Sequence, residues 1–140
     1  MRFVEPSGFY PAGDLPAPWP AVLDQLAFAT VDACQDCRLV LLDRVADDAR
    51  ATRELVFWAC TITSELYCGI PRELLEGQQE PGARFRASAT FRALAEQYQA
   101  GELSSAGCER CTTGQRREAA DTAVTLVAGF CRWWTDFLHQ

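Results

Sequence analysis

The chain of 140 residues contains no lysine and a single histidine. All 13 basic side chains are therefore arginines, set against 19 Asp and Glu for a net charge of −6. That balance argues against general binding to nucleic acid or to an anionic membrane, since both call for a net basic surface. Arg84, Arg86 and Arg92 lie close together in sequence, and the cluster reads as a solvated helix face. Nucleophile systems built on Ser–His or Cys–His have only His139 to draw on, and it is the second-last residue, where chains fray. No apolar run approaches the roughly 20 residues of a membrane helix. The opening Met1–Pro6 lacks the continuous apolar core of a signal peptide, so the chain reads as cytoplasmic. A Gly-rich phosphate loop, a dinucleotide fingerprint, strand-like alternation, internal repeats and low-complexity tracts are missing too. Lysine-free usage rich in Ala and Arg is typical of a GC-rich bacterial genome.

What is present suits one helical domain spanning 1–140. Hydrophobic residues make up 49% of the chain and aromatics 11%, enough to fill a core at this length. Residues 1–19 carry Pro6, Pro11, Pro16 and Pro18 with Gly8 and Gly13, which predicts an extended arm rather than a helix. Its Phe3, Phe9, Tyr10 and Trp19 are too apolar for a free tail and predict packing on the body. Trp133 and Trp134 point about 100° apart on a helix, so one of them is available to lie under the arm or else to be exposed as a contact for a partner or second copy.

Hydrophobic spacing predicts four helices, near 20–46, 48–68, 84–100 and 113–138, with a short turn of helix allowed at 71–76. Pro20 suits the first helical position of the first. Leu23, Ala27, Thr30, Cys34, Cys37, Leu41 and Val45 form its apolar stripe. Asp47 or Asp48 caps the second helix, which is apolar almost all round from Leu55 to Tyr67 and ends at Gly69–Ile70–Pro71. Ala87, Phe91, Leu94, Ala95 and Tyr98 line the third, and Gly101 ends it. Thr112 and Gln115 have capping-box spacing ahead of the fourth, whose stripe is Ala119 or Ala120, Ala123, Val127, Phe130, Trp134 and Phe137. The expected fold is all-α, an up-down four-helix bundle with the arm packed on it.

The seven cysteines carry whatever chemistry there is. Cys34-Gln35-Asp36-Cys37 and Cys108-Glu109-Arg110-Cys111 are Cys-x-x-Cys pairs, and two such pairs supply the four corners of a zinc tetrahedron. The second pair, between Gly107 and Gly114, resembles half of a zinc knuckle. The first sits on the stripe of the first helix, where it could instead fill space. In an up-down bundle Cys37 lies about 14 Å below the helix top. The 12-residue loop 101–112 would have to fold down to reach it, and a shared metal would explain that length. Zinc suits the spacings better than an iron–sulfur cluster.

Redox chemistry competes, because a Cys-x-x-Cys at a helix N-terminus can act as a dithiol switch with an acidified thiol. For Cys108 and Cys111, the βαβ frame of thioredoxin-like enzymes is missing and Glu109 opposes acidification. Cys60 and Cys131 read as buried filler and Cys68 as a helix-end residue. A ligand set mixing Cys60 with Cys37 is a lesser alternative. Glu73, Glu76 and Glu80 read as solvated.

The sequence thus leads to a non-catalytic interaction or regulatory module, stapled by zinc through Cys34, Cys37, Cys108 and Cys111. Its partner would be another protein or a second copy. The alternatives are a thiol–disulfide sensor or oxidoreductase, and a bundle holding a hydrophobic ligand or heme.

Overall fold

A computed structural model describes residues 15–70 and 87–138, with side chains up to residue 130. The described residues are all-α, with no strands. The helices are α1 (Trp19–Val31), α2 (Gln35–Ala46), α3 (Ala49–Tyr67), α4 (Ala89–Gln99), α5 (Ser105–Glu109) and α6 (Thr113–Leu138). Most of the arm, the 71–76 turn, Arg84, Arg86, the three loop glutamates and His139 fall outside these residues, as do the side chains of Cys131, Trp133 and Trp134.

Where one helix over 20–46 is expected, the chain makes two. Ala33 takes a left-handed conformation with φ 58°. The Cys34 amide donates to Ala29 O at 2.9 Å and the Ala33 amide to Thr30 O at 3.2 Å. These are the paired bonds of a Schellman stop, with alanine where glycine usually stands. The break resets the helical phase, so the stripe read through 20–46 does not continue. Leu23, Leu26 and Ala27 of α1 are buried, but in α2 the buried face is Leu42, Val45 and Ala46, and Cys37 is exposed.

The other boundaries follow local chemistry. Asp48 caps α3 by accepting from the Ala51 amide at 2.9 Å. At the far end the left-handed residue is Cys68 (φ 57°) rather than Gly69 alone, although Gly69, at φ 133°, also needs glycine's freedom. Ser88 accepts from the Phe91 amide and so starts α4 at residue 89, later than the expected 84. Gly101 closes α4 with φ 75°. Ahead of α6 the capping box is complete: Gln115 N donates to Thr112 Oγ1 at 3.0 Å, and Thr112 N donates to Gln115 Oε1 at 2.8 Å.

The long α6 is the central element and packs against α1, α2, α3 and α4, while α5 seats on α3. Ala119, Ala120, Ala123, Val124 and Val127 form its buried face, against Leu23, Leu26, Val45, Leu55, Val56, Phe91 and Leu94. Small residues on α6 let four helices approach one axis. Helices α2 and α6 run antiparallel. Arg38 pairs with Asp121, Asp43 with Arg117, and Ala46 with Arg116, so α2 numbers rise as α6 numbers fall. α3 is less enclosed than its composition predicts, since Phe57, Leu66 and Tyr67 are exposed.

Candidate functional site: two cysteine pairs

The break before α2 decides where the first pair lies. Cys34 becomes the N-cap of α2 in extended backbone, and Cys37 falls in the first turn. Cys34 is half-buried and Cys37 exposed. The neighbouring Cys34, through hydrogen bonding first and then its charge, holds the Cys37 thiol above its ordinary value, with smaller upward contributions from burial and Asp36. This is an accessible dithiol. One turn further along α2, Leu39 and Val40 are exposed at 42% and 68%.

The second pair is built differently. The segment expected as loop contains the short helix α5, capped by Ser104, whose Oγ accepts from the Gly107 amide at 3.2 Å. Cys108 is fully buried in the core cluster. Burial pushes its thiol up to about 11, with the charge of Cys111 adding to the rise and Arg116 and Arg53 opposing it. The redox reading of this pair calls for an acidified thiol, and Cys108 moves the other way. Cys111 is half-buried and its thiol donates to Gly107 O at 3.6 Å.

Arg116 holds this corner together. Its Nε donates to Ala46 O at 2.6 Å, and one Nη donates to Cys108 O at 3.1 Å and Cys111 O at 2.7 Å. The other Nη reaches Thr113 Oγ1 at 3.3 Å. The guanidinium thus satisfies carbonyls left open where α2 and α5 end, and its charge suits the negative ends of both helix dipoles. This clamp supplies a physical reason for the long connection. Sequence reading passed over Arg116, because its partners are main-chain oxygens from distant stretches.

The same bonds locate the two pairs relative to each other. Cys108 and Cys111 lie by Ala46 at the C-terminal end of α2, and Cys34 and Cys37 lie at its head. Nine residues separate Cys37 from Ala46, or roughly 14 Å of helix. Each pair is brought together, and the four cysteines are not gathered at one point. Among the described residues, no group of three or more His, Cys, Asp or Glu is placed to hold a metal ion.

The remaining cysteines are simpler. Cys60 is buried in α3, and burial pushes its thiol up to about 12. Cys68 is exposed at the end of α3. Arg92 donates to Ala87 O at 2.7 Å, tying the start of α4 to the residues before it. No helix among the described residues is long and apolar enough to cross a membrane. Comparison with known protein families, curated proteins and solved structures finds nothing that matches this chain.

Proposed function

We propose that this chain is a small regulatory module whose responsive group is the Cys34–Cys37 dithiol, and that it acts through a protein partner or a second copy rather than by turnover of a substrate. Its frame is read as a four-helix bundle in which α1 and α2 together take the place of the first helix. The observation that carries the proposal is the placing of Cys34 and Cys37 one turn apart at an accessible helix N-terminus. Two thiols already in each other's reach can close a disulfide with little backbone movement. A low-molecular-weight disulfide accepts the two electrons and two protons, leaving as two thiols. The net negative charge of the chain points away from nucleic acid and membrane partners.

Equilibration in glutathione buffers of graded redox ratio, followed by alkylation and peptide mapping, tests this reading. Cys34 and Cys37 should disappear together from the alkylated pool, while Cys60 and Cys108 are labelled only after unfolding. If Cys34 and Cys37 stay alkylatable at every ratio, the dithiol has no redox role. A zinc ion held by Cys34, Cys37, Cys108 and Cys111 of one chain asks the two pairs to close the length of α2. One metal per chain, lost in Cys111→Ser, is the result that would support it.

A further inference from the structure

We infer that reduced Cys34 and Cys37 form half of a zinc site that the same two cysteines of a second copy complete. The inference rests on the dithiol reading above and gives that site its output. Two thiolates at i and i+3 take two corners of a tetrahedron. The other Cys-x-x-Cys of the chain is committed elsewhere, with Cys108 in the core and its carbonyl held by Arg116 at the far end of α2. The open corners at the head of α2 therefore face outward, as does Cys37 itself.

The surroundings suit a copy of the same surface. Val40 lies three residues after Cys37, on the same face of α2, and offers an exposed apolar contact beside the thiols. A two-fold arrangement places each pair opposite its own copy, as closed dimers require. Charge then makes the contact conditional. Asp32 and Asp36 are exposed on either side of Cys34, so two apposed copies bring four carboxylates together around the sulfurs. A cation at the centre offsets that repulsion.

Oxidation reverses the assembly in a balanced step. Four thiolates around one zinc ion react with two low-molecular-weight disulfides. The products are two Cys34–Cys37 disulfides, four released small thiolates and the free zinc ion. Four electrons pass from the cysteines to the small disulfides, and the zinc keeps its charge throughout.

The experiment is elemental mass spectrometry combined with light-scattering chromatography on reduced full-length protein, with zinc as the probe. Expected is about one zinc per two chains in a dimer, lost in Cys37→Ser and kept in Cys111→Ser. Chelator or oxidised glutathione should convert the dimer to metal-free monomer. A monomer with one zinc per chain overturns the inference, as does a dimer that retains zinc in Cys37→Ser, or protein without zinc. If the reduced protein is isolated as a zinc-free monomer whose Cys34 and Cys37 oxidise as a pair, the inference fails and the redox reading stands. If the zinc dimer forms but resists oxidised glutathione, the redox reading fails and the site stands.

Discussion

Two cysteines in this chain are held as thiols by burial, and burial has a pH signature. The Cys108 and Cys60 thiols are pushed up to about 11 and about 12. In the unfolded chain each ionises near the ordinary thiol value of 9.0. Above that pH the unfolded state has released protons that the folded state still holds, so stability is complete below about 9 and falls as pH rises through 11. Urea midpoints at pH 8 and pH 10.5 should show the loss, and Cys60→Ala should flatten part of it. Arg116 makes the second prediction at this scale. Its charged hydrogen bonds to three carbonyls have no substitute, so Arg116→Ala should cost about 2–3 kcal/mol and open Cys108 and Cys111 to alkylation. Lysine at 116 should recover only part of this, since one ammonium cannot match the planar fork.

At the scale of elements, the stops between helices matter most. Ala33 holds a left-handed conformation that costs an L-residue about 1–2 kcal/mol. Ala33→Gly relieves it against the greater chain entropy of glycine and should raise stability by about 0.5–1 kcal/mol in chemical denaturation. Removing the hydroxyl of the α6 capping box, Thr112→Ala, should cost about 1 kcal/mol in the same assay. These two positions also mark what sequence could reveal. The capping box and the Gly101 stop were legible because their residue types announce their geometry. The Schellman turn at Ala33 was not, because alanine gives no sign of a positive φ. Missing that turn carried the reading of Cys34 and Cys37 onto a core-facing stripe, when the reset phase turns Cys37 outward. The Arg116 clamp was hidden for a different reason. Backbone carbonyls look alike in every sequence, and only the folded chain brings 46, 108 and 111 together.

Across the whole molecule, helical class and most of the buried face of α6 were readable from spacing alone. The relation between the cysteine pairs was not, because it depends on where α5 docks. The central place of α6, touching four other helices, predicts one cooperative unit. Val127→Ala should therefore lower helicity and buried-thiol protection in a single coincident transition, at a cost of about 1–2 kcal/mol. Circular dichroism and alkylation of Cys60 across the same urea series would check the coincidence.

The clamp at the end of α2 has a mechanical consequence. A guanidinium stays charged across the range in which thiols change state, so Arg116 fixes that end of the helix whatever happens at Cys34 and Cys37. Helix α2 is then a lever fixed at its Ala46 end and held near its head by the Arg38–Asp121 ion pair. Twelve residues span about 18 Å, and a tilt of about 10° that breaks that pair displaces the head by about 3 Å. A change confined to two sulfur atoms would be felt as motion of the surface that carries Leu39 and Val40, while the end beside Ala46 stays where it is.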